Sequence, residues 1–261
     1  MGRLRLTSSR FRTEHDLMSA LRNLSQFVGR ELSAEQPILE ARLPDGSRVE
    51  AVIPPASPGG PMVSIRRFRR QQLTLERLVE LGSLSSDTRR QLASAIRDRH
   101  NVLVAGGSGS GKTSLLNALA SEASRDERIV VIEDSQELQI RVPHLVQLEA
   151  QPPDLRGRGE VTIRDLFRAC LRMRPDRIVI GEIRGGEALD LIQAMMSGHR
   201  GCLSTVHATL PIDTLSRLET MALMSDVDMP LRVLRLQIAS AIDTIVQVAR
   251  DPRGSRYITH V

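Results

Sequence analysis

Val102-Leu103-Val104-Ala105-Gly106-Gly107-Ser108-Gly109-Ser110-Gly111-Lys112-Thr113 passes from an apolar run into a glycine-rich loop, and a stretch of helix-forming composition follows through Ala120. Four apolar residues bounded by glycine read as a buried strand. Residues 106–113 fit the pattern G-x-x-x-x-G-K-[ST], a loop whose backbone N–H groups cradle phosphates at the positive end of a helix. Lys112 is the single lysine among 36 basic side chains. An ammonium is a compact point charge that fits between two phosphates, whereas a guanidinium is a wide planar fork. The chain's bias towards arginine explains the other basic residues and leaves this lysine as the exception. Strand, loop and helix together predict a nucleotide site. Gly107, Ser108, Gly109, Ser110, Gly111, Lys112, Thr113 and Ser114 should hold the phosphates, with the Thr113 hydroxyl on a nucleotide-bound Mg²⁺. ATP and Mg²⁺ are the expected cofactors.

The chain has 261 residues, enough for one large α/β domain and a small accessory one. No run approaches the 18 or so apolar residues of a membrane span, and Met1-Gly2-Arg3-Leu4 leads into polar sequence, not a signal peptide. Cys170 and Cys202 stand far apart in apolar segments and read as buried reduced thiols. The net charge of +5 comes from arginines spread along the whole chain, which fits a solvated surface. Aromatics make up only 2% of residues, too few for a base-stacking platform, so no direct nucleic-acid binding is expected.

Thr13-Glu14-His15-Asp16 resembles a capping box, with Leu17, Ala20, Leu21, Leu24 and Val28 at helical spacing behind it and Gly29 as a stop. Leu39, Ala41 and Leu43 alternate, Pro44-Asp45-Gly46 turns, and Val49, Ala51 and Ile53 alternate again, which predicts a hairpin. The Pro/Gly-rich stretch 54–61 reads as a loop between domains. Beyond residue 70, short apolar strands at 102–105, 129–132, 178–180 and 203–206 alternate with helices near 162–173, 186–197 and 212–224. That alternation predicts a mostly parallel sheet covered on both faces, with ligands at the carboxyl ends of its strands. The expected division is a partial N-terminal α+β domain over 1–60, a linker or strand entering the core over 61–72, and the α/β domain over 73–261.

Several strand ends carry charge. Ile178-Val179-Ile180-Gly181-Glu182 delivers a carboxylate that can hold Mg²⁺ through water or polarise an attacking water. Ile132-Glu133-Asp134 repeats the pattern, with Glu133 the candidate for the active site and Asp134 and Glu137 as caps or surface charges. His207 follows another strand, where a γ-phosphate sensor would stand; His199 lies in a turn and supports the loop. Arg164, Arg168 and Arg172 are spaced four apart on one expected helix face. Spacing alone leaves open whether they form a solvated stripe or arginine fingers that reach a nucleotide at a subunit boundary.

These segments together resemble the ATPases of type II and type IV secretion systems, and among them the pilus-assembly ATPases of the tight-adherence (Flp) branch. The resemblance rests on Ala41 through Arg48, Ser64-Ile65-Arg66-Arg67-Phe68, the phosphate loop, and Ile132 through Leu138 as an aspartate box. It continues through Gly159 to Leu166, Leu171 to Arg177, Gly181 to Ala188 as a Walker B region, and Gly198-His199 through Thr205-Val206-His207-Ala208 as a histidine box. It implies a RecA-like P-loop core behind a small N-terminal domain; this chain departs from the family pattern in a first domain shorter than usual and in a missing C-terminal extension after Val261. It also implies a homo-hexameric ring that hydrolyses ATP in the cytoplasm, peripheral to the inner membrane, where it powers pilus assembly or secretion through a membrane platform protein. On that basis Arg168 and Arg172 become candidate fingers and Arg66 a candidate nucleotide contact. Two further function classes compete with the motor: a nucleotide-gated binding module with little turnover, and a DNA-translocating ATPase, which the scarcity of aromatics disfavours.

Overall fold

A computed structural model describes residues 5–67, 73–153 and 157–261. The reading of Met1 to Leu4, and of the stretch 68–72 within the expected linker, lies outside them. The described residues form two compact units.

In the smaller unit, α1 (Glu14–Phe27) starts at the foreseen capping box: the Thr13 side chain accepts from the Asp16 N–H and the Asp16 carboxylate from the Thr13 N–H. Strands β1 (Ile38–Arg42) and β2 (Arg48–Val52) make the expected antiparallel hairpin, turning at Gly46 with φ +85°. Leu39, Ala51 and Ile53 are buried with Leu21 of α1. The third strand, β3 (Met62–Arg66), departs from the sequence reading. It was expected to lead into the core, but it pairs antiparallel with β2 along its whole length and completes the small sheet. Its apolar residues are exposed, so no burial pattern in the sequence marked it as a sheet member.

The larger unit has the RecA-like α/β form. Helices α2 (Leu75–Glu80) and α3 (Ser86–Arg97) precede strand β4 (Val102–Gly106) and helix α4 (Lys112–Ala120). Then follow β5 (Ile129–Glu133), β6 (Leu145–Glu149), α5 (Ile163–Cys170), β7 (Arg177–Ile180), α6 (Glu187–Met196), β8 (Leu203–Val206), α7 (Pro211–Ala222), α8 (Leu231–Ala241), β9 (Thr244–Arg250) and β10 (Arg256–His260). The seven strands run in the order β10-β9-β4-β8-β7-β5-β6, and every pair is parallel except β9–β10. The central strands are continuously apolar because both faces are covered. Leu103, Val130, Ile178 and Val206 point into the layer of α5 to α8, while Val102, Val104, Val131 and Val179 point into that of α2 to α4. No helix among the described residues is long and apolar enough to cross a membrane.

Candidate active site

Parallel pairing brings the carboxyl ends of β4, β5, β7 and β8 to one edge of the sheet. The phosphate loop, Glu133, Glu182 and His207 are the residues that follow them. At Gly106 a Cβ would lie 2.5 Å from Ser110 Oγ and 2.6 Å from the Val248 carbonyl, so only glycine lets the chain turn there. The Ser110 hydroxyl donates to the Gly107 carbonyl at 2.8 Å and closes the loop. Gly111, in the left-handed region at φ +102°, is the N-cap of α4 and brings no side-chain hydrogen bond. By contrast α1, α2, α3 and α5 are each capped by a Ser or Thr hydroxyl. The first N–H groups of α4 therefore remain available to an anion, at the end of the helix where the macrodipole favours one.

Lys112 is buried at the centre of this edge. Its Nζ donates to the Gly107 carbonyl at 3.2 Å and lies 3.3 Å from His207 Nε2. Burial lowers the lysine's pKa, with the Glu182 charge acting against it. Burial, and then the Lys112 charge, lower that of His207. The imidazole is therefore held neutral, able to offer one N–H to a phosphate and one lone pair to the ammonium. The tight fit of Lys112 predicts that Lys112→Arg, although it keeps the charge, loses ATPase activity by about 100-fold, the scale of a lost positioned donor. Steady-state turnover near wild type in this variant would refute the loop's role.

Glu182 stands between three basic groups. Arg184 Nε donates to its Oε2 at 2.8 Å, and Arg184 also bridges to Asp134 Oδ2 at 2.8 Å, tying the ends of β7 and β5 together. Glu182 Oε1 lies 2.7 Å from His207 Nε2, but the imidazole is not aligned to donate, and this buried oxygen has no hydrogen-bond partner. Leaving a buried charged acceptor unpaired is costly, so the position suits a water or the hydration shell of a cation. The described residues hold no cluster of three or more His, Cys, Asp or Glu able to cage a metal.

Glu133 is also buried. Its Oε1 accepts from the Glu137 N–H at 2.9 Å and the Leu138 N–H at 3.0 Å, yet burial dominates and pushes its pKa up to about 7. Gly181 makes room for it, since a Cβ there would lie 3.0 Å from Glu133 Cγ. A carboxyl that titrates near neutrality suits proton transfer to or from water. It also couples to stability. The folded pKa lies above the unfolded one, so the folded state holds the extra proton between about pH 4.5 and 7, and stability falls as pH rises through that window. Glu133→Gln should therefore be more stable than wild type at pH 8, by about 1–3 kcal/mol, with the difference vanishing near pH 4. Urea denaturation at the two pH values measures it, and a pH-independent difference would contradict the buried titration.

The arginine stripe does not survive intact. α5 ends at Cys170, so Arg172 falls beyond the helix. Arg164 is engaged by Asp190 at 2.7 Å and Asp226 at 2.8 Å. The turn carrying Arg172 lies where β5 begins, since Arg128 Nε donates to the Met173 carbonyl and the Arg128 N–H to Asp176. The length of β5, about 15 Å at some 3.3 Å per residue, separates that turn from the end bearing Glu133. Arg168 and Arg172 are exposed, and Arg172 cannot reach the phosphate loop of its own chain. Arg66 ends β3 in the smaller unit. His199 precedes β8 at the same far edge as Arg172.

Some side chains at the site carried no motif signal. Gln247 of β9 is buried and donates to the Ala208 and Thr209 carbonyls at 3.1 and 3.0 Å, fixing the segment after His207. The Thr205 hydroxyl donates to the Gly181 carbonyl at 2.7 Å, locking the His207 strand to the Glu182 strand. A polar residue in an apolar strand was the available clue in both cases.

Residues 3–256 match a family model described as Type II/IV secretion system protein. A putative conjugal transfer protein of Mycobacterium tuberculosis is 38% identical over 264 residues, covering 99% of this chain and 74% of that protein. The type IV secretion system protein PtlH of Bordetella pertussis is 37% identical over 251 residues, 87% of this chain and 74% of its own. Among solved structures, the VirB11 ATPase from the Brucella suis type IV secretion system, in complex with sulphate, matches with a TM-score of 0.61 and 32% identity, over 95% of this chain and 82% of that one. The Legionella pneumophila ATPase DotB, at 20% identity and a TM-score of 0.68 over 98% of this chain and 70% of its own, shares the fold.

Proposed function

Because the chain belongs to the type II/IV secretion system protein family and is an ATP hydrolase of its secretion ATPases, we propose that it is the motor of a homo-hexameric ring powering pilus assembly or protein secretion. The observation that carries this reading is the uncapped start of α4 facing the row Lys112, His207, Glu182 at a single sheet edge. ATP lies with its phosphates on residues 107–114. Lys112 neutralises the β- and γ-phosphates; Mg²⁺ would be held by Thr113 and, through water, by Glu182, and would supply further charge neutralisation. Glu182 orients the attacking water and Glu133 takes up or relays its proton. His207, neutral and beside Lys112, registers the presence of the γ-phosphate by hydrogen bonding. Work passes to an inner-membrane platform protein, which places the ring in the cytoplasm at the membrane surface. The conjugal-transfer and type IV secretion relatives support a secretion setting.

Arg172 acts in this scheme only across a subunit boundary, because its turn lies a strand's length from its own phosphate loop, and Arg168 is the second candidate finger. The test mixes two inactive variants, Arg172→Ala and Lys112→Ala. Where subunits meet, some boundaries then join an intact phosphate loop to an intact arginine, and partial ATPase activity should return. Size measurement with and without ATP accompanies the assay. A chain that stays monomeric with full turnover, or a mixture that exchanges subunits yet recovers nothing, would overturn the shared-site ring.

A further inference from the structure

Arg250 and Arg256 are Cα partners in the register of the antiparallel hairpin β9–β10, so their side chains leave the same face directly opposite each other. Like charges in that relation are destabilising. Neither guanidinium has an acidic partner among the described residues: Asp251, between them, accepts from the Ser255 N–H in the turn. Both arginines instead press on the phosphate loop. Arg256 Nε donates to the Gly109 carbonyl at 2.8 Å. A Cβ on Gly111 would lie 3.0 Å from Arg256 Cδ, and one on Gly109 would lie 3.4 Å from the Arg250 guanidinium. Glycine at these two positions lets the Arg256 stem and the Arg250 guanidinium lie directly against the loop. The remaining N–H donors of the Arg256 fork are uncommitted among the described residues.

We infer that Arg250 and Arg256 form a cationic clamp on the phosphate chain of the bound nucleotide, so that the β9–β10 hairpin is a second wall of the binding site opposite Lys112. The pairing of like charges is unfavourable while the loop is empty and becomes favourable when an anion lies between them, because guanidinium–phosphate hydrogen bonds are charge-assisted and can be bidentate. The contact is made to phosphates that ATP and ADP share, so it serves affinity and retention of product as well as substrate. Arg256 exchanges its bond to the Gly109 carbonyl for the nucleotide, which links loop and hairpin to occupancy. This inference rests on the reading of residues 107–114 as the nucleotide loop.

The test measures ADP affinity by calorimetry at several salt concentrations for the full chain and for Arg250→Ala, Arg256→Ala, Arg256→Lys and Lys112→Ala. Each arginine-to-alanine variant should bind ADP about tenfold more weakly, with a shallower dependence of affinity on salt. Arg256→Lys should recover part of the loss. Thermal stability without nucleotide should be unchanged or higher in the alanine variants, because a like-charge pair has been relieved. Unchanged ADP affinity in both alanine variants overturns the clamp. Weaker affinity with an unchanged salt slope also overturns it, and makes Arg256 a brace of the loop. The loop reading fails by a separate signal, undiminished ADP binding by Lys112→Ala.

Discussion

Glu182→Gln is expected to bind ATP at close to wild-type affinity and to hydrolyse it about 10³-fold more slowly, the scale for losing a positioned charge in a catalytic site. The amide keeps the shape of the side chain and one oxygen for Arg184, so the ends of β7 and β5 stay tied through Asp134. It loses the charge that orients the attacking water. The buried Oε1, without a donor in the resting protein, is where that loss is felt. Nucleotide retention measured beside turnover separates the possibilities. A variant that retains ATP and does not turn it over fits the assignment. Parallel loss of both would make Glu182 a structural support of the loop.

Arg177→Ala should cost about 3–5 kcal/mol of stability, the scale for removing one partner of a buried ion pair. Arg177 is 1% exposed. Its Nε donates to Glu127 Oε2 at 2.8 Å, and the rest of the fork to the carbonyls of Gly201 and Ile96, each at 2.9 Å. One side chain thereby joins α3, the segment before β5, β7 and the turn before β8, all at the edge remote from the phosphates. Alanine would strand the Glu127 carboxylate, itself 7% exposed, and two carbonyls. The measurement is the urea midpoint, and a loss under about 1 kcal/mol would mean that water or Arg99, 3.7 Å from Glu127, replaces the guanidinium. Gly201→Ala should act on the same site, since its Cβ would fall 2.7 Å from the Arg177 guanidinium and φ there is +80°.

Much of this site was legible in the sequence because its chemistry sits at strand ends, and strand ends are marked by an apolar run breaking into charge. Glu133, Glu182 and His207 were found by that rule, and β4, β5, β7 and β8 fall within one residue of their expected bounds. What escaped were contacts between segments far apart in the chain. Nothing near Arg250 or Arg256 in sequence says that β9 pairs with β4 and carries these arginines to Gly109. Arg177 looks like one more arginine in a chain full of them, and only the fold shows that it alone among the described arginines ranks with the largest fully buried side chains. The stripe of Arg164, Arg168 and Arg172 failed for the opposite reason: regular spacing continued past the point where the helix stops.

The position of β4 in the sheet has a consequence for how the chain is made. Its neighbours are β8 and β9, which lie roughly 100 and 140 residues later in the sequence. A nascent chain leaving the ribosome exposes this wholly apolar strand long before either neighbour exists to cover it. At ordinary synthesis rates the wait is on the order of ten seconds, during which Val102 to Ala105 are a target for chaperones and for pairing with another chain. Val248, whose carbonyl leaves no room for a side chain at Gly106, comes later still. ATP can therefore stabilise this unit only after β9 has emerged to pair with β4.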